Sequence, residues 1–186
     1  YILWVDKDTG FPPFALEWML QKNERVIGAN VTTKTLPPVP SAFVETDDEI
    51  GPLYTEIDSQ GKEKVKHVRF NLVLTHMNVF EELAEDPPIF CNQPYGGGLK
   101  ILADDIYFCH QCVKHHIDIY VDHDVSKYCT NTGRYGFSMR DALMGRNMKK
   151  QMAESNFDFA YSDEEIAPVV SQKNGEDRDP GLTPYA

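Results

Sequence analysis

Apolar residues open the chain in an unbroken run, Tyr1-Ile2-Leu3-Trp4-Val5, and a polar break, Asp6-Lys7-Asp8, closes it. A short continuous apolar run of this kind predicts a strand buried on both faces. Thr9-Gly10-Phe11-Pro12-Pro13 supplies a turn and the chemistry of a helix start. Residues 14–22 then place Phe14, Leu16, Met19 and Leu20 as the apolar members of an amphipathic helix. A second apolar strand is predicted over 26–31, and strand, helix, strand in that order is a β-α-β unit. Leu36-Pro37-Pro38-Val39-Pro40 is extended and excludes both a helix and a central strand.

The pattern then loosens. Residues 44–63 are acidic and loop-rich, with a hairpin expected around Ser59-Gln60-Gly61 and a solvated surface at Asp47-Asp48-Glu49. Alternation predicts a strand over 65–74, followed by a short helix over 78–85 that Pro87-Pro88 stops. Tyr95-Gly96-Gly97-Gly98 reads as a flexible loop, and Asp104 or Asp105 as the N-cap of a helix over 106–115. Residues 117–122 alternate as a strand. Residues 138–153 have helical composition, with Met139, Leu143, Met144 and Met148 on one side. After Tyr161 the chain turns acidic and rich in Pro and Gly, as a loose tail would. The fold class is α/β, with one domain over 1–161 and a tail over 162–186.

Composition narrows the function classes. The 186 residues carry 18 Lys plus Arg against 29 Asp plus Glu, a formal net charge of -11. That balance argues against strong nucleic-acid binding or an anionic membrane as the main partner, since both need a basic face. It does not argue against a small anionic ligand held by a few local groups or a metal ion. No run of 18 apolar residues is present, so no transmembrane helix is expected. No basic leader or small-residue cleavage site stands at the start, and a cytoplasmic protein is expected. A chain that opens without Met inside an apolar run reads as a piece of a longer one. The cysteines Cys91, Cys109, Cys112 and Cys129 are expected as reduced thiols.

Four groups of residues are candidates for chemistry. Asp6 and Asp8 stand at the carboxyl end of a predicted strand, where open α/β sheets bind ligands. Two carboxylates around a tight bend can hold one Mg²⁺ or Mn²⁺, or can simply end a strand in a turn. Asp104 and Asp105 sit at a predicted helix start, as a cap or as a general base facing a cleft. Cys109-His110-Gln111-Cys112 with His115-His116 admits a zinc site, against two small apolar residues on a buried helix face. The segment 128–135 is a polar loop able to offer a ligand or sugar-binding groups, or no function at all.

Taken in order, these motifs resemble a GT-A-type glycosyltransferase, and most nearly the short glycosyltransferase-like proteins of bacteria and their phages. The likeness rests on Trp4-Val5-Asp6-Lys7-Asp8-Thr9-Gly10-Phe11-Pro12, on Val26-Ile27-Gly28-Ala29 leading to Leu36-Pro37-Pro38-Val39-Pro40, and on Asp104-Asp105-Ile106-Tyr107-Phe108-Cys109. It runs from Tyr1 to about residue 137. The resemblance implies the C-terminal part of a nucleotide-diphospho-sugar transferase fold, a Rossmann-like mixed sheet with flanking helices. It implies transfer of a sugar from a nucleotide-diphosphate donor to an acceptor hydroxyl on a glycan, protein or modified base, with inversion.

In that likeness Asp6 and Asp8 hold Mn²⁺ or Mg²⁺ and the donor's diphosphate. Asp105 is the base that deprotonates the acceptor, Asp104 supports it, and residues 70–77 line the sugar side of the cleft. The family usually has His-x-Gly after the Ile-Tyr-Val-Asp strand, where the His can complete the metal site. Here Asn131-Thr132-Gly133 stands there, so Asn131 is the third metal ligand expected. The β-α-β half that cradles the nucleotide base would precede Tyr1. The competing expectation is a non-catalytic binding or structural protein that keeps the fold with weaker metal ligation.

Overall fold

The computed structural model describes residues 1–46, 49–95, 100–133 and 136–154. In chain order the strands are β1 (Ile2–Val5), β2 (Thr9–Gly10), β3 (Val26–Gly28), β4 (Ala42–Thr46), β5 (Glu49–Pro52), β6 (Lys62–Val65), β7 (His67–Val68), β8 (Leu72–Thr75), β9 (Gln93–Tyr95), β10 (Lys100–Leu102), β11 (Ile119–Asp122), β12 (Thr130–Thr132) and β13 (Gly136–Ser138). The helices are α1 (Ala15–Gln21), α2 (Met77–Leu83), α3 (Asp104–Lys114), α4 (His123–Ser126) and α5 (Met139–Glu154).

The five-stranded central sheet runs β1-β8-β3-β11-β6. It is mixed: β3 and β11 are parallel, and every other neighbouring pair is antiparallel. Alternation of side chains divides its residues between two cores. Val26, Val73, Ile119 and Val121 face α2 and α3 and pack with Val79, Leu83, Phe108, Cys109 and Cys112. Ile27, Leu72 and Leu74 face the other way, onto Ala15 and Met19 of α1 and Val125 of α4. The architecture is thus mixed α/β, with helices on both faces of the sheet and three small sheets around it.

Several expectations change. Strands β1 and β3 point the same way but are not neighbours, because β8 lies between them, antiparallel to both. β1 is therefore an edge strand of this sheet, and Val5 is 44% exposed where a strand covered on both faces was expected. The single strand expected over 65–74 is three pieces: β6 pairs with β11, β7 with β4, and β8 with β1 and β3. The hairpin lies between β4 and β5 rather than at Ser59-Gln60-Gly61, where Gly61 (φ 70°) makes a turn between strands of different sheets. α1 buries Ala15 and Met19 and exposes Leu16 and Leu20, a face turned from the one expected. α5 buries Met139 and Ala142 and leaves Met144 and Met148 exposed. Asp47-Asp48, the glycines 96–98 and the tail 162–186 lie outside the described residues. Among those described, no helix is long and apolar enough to cross a membrane.

Gly28 shows how tightly the sheet is covered. A Cβ there would stand 2.9 Å from Val68 Cγ2, 3.1 Å from Val73 Cγ2 and 3.3 Å from the Leu72 carbonyl. Gly28→Ala should cost about 1–3 kcal/mol in urea unfolding, the usual range for overpacking. An unchanged midpoint would mean that β7 can back away.

His67 on β7 is 6% exposed, and its Nε2 lies 3.0 Å from Nε2 of His110 on α3. Burial pushes the His67 imidazole down to about 4, with His110 and Lys66 adding to the shift. The unfolded chain takes up this proton near pH 6.5, whereas the folded chain resists it until about pH 4. Stability contributed by neutral His67 is therefore full above pH 6.5 and falls as pH drops from 6.5 to 4, by about 3 kcal/mol at most. His67→Gln should flatten that part of the stability–pH curve. An unaltered slope would remove His67 as its source.

Candidate functional site

A cleft of about 740 Å³ opens beyond the carboxyl ends of β1 and β3. The residues proposed from separate motifs converge on it, since Asp6, Asp104, Asp105 and Asn131 all line it. Asp8 stands beside it, ion-paired to Lys34, which does line it.

The polar wall is assembled by backbone pairing. The Asp6 N–H donates to the Asn71 carbonyl (2.9 Å), which closes the end of β1 against β8. The Thr9 N–H donates back to the Asp6 carbonyl (2.9 Å), making the bend that carries both acids. Directly after Asp8, β2 pairs with β12, placing Asn131 opposite Thr9. Asn131 was expected in a loop; it lies in a strand and is only 4% exposed. Its Nδ2 donates to the Thr32 carbonyl (2.8 Å), which fixes the amide and leaves Oδ1 buried without a partner. The Thr32 and Thr9 hydroxyls are buried without partners as well. Asn131 and Thr32 both line the cleft, so two of these three atoms belong to residues of its wall. The Lys34 ammonium beside Asp8 holds its carboxyl below the usual carboxylate range.

The acidic pair opens α3, and neither member is its N-cap. Ala103 holds that position without a side-chain hydrogen bond, and both acids lie in the first turn. Asp105 is 8% exposed. Its Oδ2 accepts from Arg69 Nε (2.5 Å) and from the Phe70 N–H (3.4 Å), while Oδ1 accepts from the Ile106 N–H (2.9 Å). Asp104 is exposed; its Oδ1 accepts from the Asp105 N–H (2.9 Å), and its own N–H donates to Asn92 Oδ1 (3.1 Å).

The third wall is aromatic. Trp4, Phe70 and Phe90 line the cleft, with Trp4 ring centres 5.4 and 5.7 Å from the two phenylalanines. Phe90 stacks on Phe108 beneath (5.2 Å, 13° between planes). The Trp4 indole N–H is a further buried group with no partner.

The zinc alternative meets a different environment. Cys109 and Cys112 are buried in the core between α3 and the sheet, and burial pushes the Cys109 thiol up to about 12 and the Cys112 thiol higher still. His116 is exposed. Among the described residues no group of three or more His, Cys, Asp or Glu side chains is placed to hold a metal ion.

Of residues 70–77, expected along the sugar side, Phe70 and Asn71 line the cleft while Leu72–Thr75 are buried in β8; sequence reasoning missed Lys34, Arg69, Trp4 and Phe90. Lys34 is the one cation between Arg25 and the proline run, which was a usable signal. Arg69 was hidden inside an expected strand. No family model matches the chain, and comparison with curated proteins gives no match.

The Arg69–Asp105 pair can be isolated by a double-mutant cycle. Arg69→Met and Asp105→Asn should show a coupling of about 1 kcal/mol in denaturant unfolding, because one partner is half-exposed. Strictly additive losses would mean that the pair does not form in solution.

Proposed function

We propose that this chain carries the metal and acceptor side of an inverting glycosyltransferase that uses a nucleotide-diphosphate sugar. One observation carries the reading: acids chosen from distant motifs, with Asn131, line a single cleft at the strand ends. The oxygen donors suit Mn²⁺ or Mg²⁺, since Asp6 and Asp8 are hard carboxylates on one bend and Asn131 Oδ1 is an orphaned buried carbonyl. Such an ion, when bound, offsets the charge that grows on a departing diphosphate.

The chain's own groups supply the rest. Arg69 and the Phe70 N–H orient Asp105, and Asp104 holds the Asp105 backbone from the solvent side. Asp105 takes the proton of the acceptor hydroxyl as that oxygen attacks the anomeric carbon. The bond from this carbon to the diphosphate breaks, and its electron pair leaves on the phosphate oxygen. Trp4, Phe70 and Phe90 offer an apolar surface to the C–H face of a sugar and keep water from that side.

A second reading, a binding protein without turnover, is favoured by one feature. Asp8 and Asp105 each already hold a cationic side chain.

The test is release of nucleoside diphosphate from a panel of nucleotide sugars with Mn²⁺ and candidate acceptor glycans. Asp105→Asn should lower transfer by about 10²–10⁴-fold, the usual worth of a positioned base. It should leave intact any rise in melting temperature given by Mn²⁺ with a nucleoside diphosphate. Asp104→Asn should cost less, because that residue supports rather than accepts. Activity of Asp105→Asn within a few-fold of the parent would remove it as the base. Stabilisation by both ligands without release from any donor would favour the binding reading.

A further inference from the structure

The reading above gives Asp8 to a divalent ion, yet Asp8 already holds the Lys34 ammonium. The surroundings fix both backbones and leave the lysine side chain as the movable part. The Asp8 carbonyl accepts from the Thr132 N–H (2.7 Å) and from Thr132 Oγ1 (2.8 Å). The Lys34 loop is closed by the Thr33 N–H to the Val39 carbonyl (2.8 Å), by the Val39 N–H to Thr33 Oγ1 (3.1 Å), and by the Thr32–Pro40 bridge. The ion pair itself is about one-third exposed at each partner, and pairs of that kind exchange easily.

Charge gives the exchange a direction. Among the described residues, the cleft lining holds three acids, Asp6, Asp104 and Asp105, and two cations, Lys34 and Arg69. Arg69 is engaged by the nearly buried Asp105. Among the described residues, Lys34 is thus the lining cation with the freedom to meet an incoming phosphate. A lysine that turns from Asp8 to a phosphate frees a carboxylate oxygen at the moment an anion arrives. Asp8 stands on the bend directly before Thr9, the residue that pairs with Asn131, whose Oδ1 has no partner.

We propose that Lys34 is a tethered cation that keeps Asp8 closed to a divalent ion until a diphosphate draws it away, so that one residue links ion binding to diphosphate binding. The inference rests on the proposed function for the identity of the ion and of the diphosphate group. Lys34 acts as a positioning residue for the ion and as a direct ligand of the phosphate.

The test uses the whole chain and two separate probes: Mn²⁺ alone, followed by the electron paramagnetic resonance signal of the free ion, and metal-free inorganic pyrophosphate, followed by calorimetry. Lys34→Met should bind Mn²⁺ about tenfold more tightly than the parent, because the competing cation is gone, and pyrophosphate about tenfold more weakly. Lys34→Arg, which keeps the charge, should stay near the parent for pyrophosphate. Adding Asp8→Ala to Lys34→Met should abolish the gain in Mn²⁺ affinity. Unchanged Mn²⁺ affinity in Lys34→Met overturns the proposal, as does unchanged pyrophosphate affinity. Loss of both ligands at an unchanged melting temperature overturns it too, because Lys34 would then only prop the loop. None of these readouts needs turnover. A protein that includes the nucleotide-binding half and shows the expected pattern but no transfer would sink the transferase reading alone, and transfer with unchanged Mn²⁺ affinity would sink this inference alone.

Discussion

The strand Leu72–Thr75 is the member on which the rest of the molecule depends. It is buried along its whole length and hydrogen-bonded on both sides, to Ile2–Val5 and to Val26–Gly28. Its four residues supply Leu72 and Leu74 to one core and Val73 to the other. Because it runs against both neighbours, their carboxyl ends and its amino end meet at the same edge. Asp6, the Ala29–Thr32 stretch and Phe70-Asn71 therefore reach the cleft together. Had β1 and β3 been neighbours, Phe70 and Arg69 would have had no place there.

The second constraint is electrostatic. An acidic molecule lines one concavity with Asp6, Asp104 and Asp105, and Asp8 stands beside it. Lys34 and Arg69 answer this one by one, each on a named acid. Arg69 is the firmer of the two, since its partner is nearly buried and also accepts the Phe70 N–H. A planar guanidinium suits that fixed role, whereas an ammonium on a flexible stem suits an exchangeable one.

Much of the fold was legible in the sequence where side-chain pattern and local chemistry agree. The strands near residues 2, 26 and 119, the α2 helix before Pro87, and the long α5 helix follow from apolar runs and breakers. The strand order did not follow, because β8 carries no mark in its own residues of where it inserts. The 65–74 segment misled because Lys66 and Arg69-Phe70-Asn71 are turns between strands of different sheets, and alternation continues through them. At the site, the acids stood out because Asp6-Lys7-Asp8 closes an apolar run and Asp104-Asp105 opens a predicted helix. Asn131 was placed in a loop because a three-residue strand opposite Thr9 leaves no periodic signal. Lys34 and Arg69 are ordinary surface cations until the chain folds them against Asp8 and Asp105.

The chain has two tryptophans, and the sheet keeps them apart. Trp4 belongs to the core under α2 and α3 and lines the cleft, while Trp18 packs on the opposite face beside Phe14 and Tyr128. Their indoles thus sample different media within one molecule. A solute entering the cleft changes the polarity around Trp4 and leaves Trp18 as a constant background. Intrinsic emission can follow occupancy of the cleft without any attached dye, and a Trp18→Phe chain would isolate that signal.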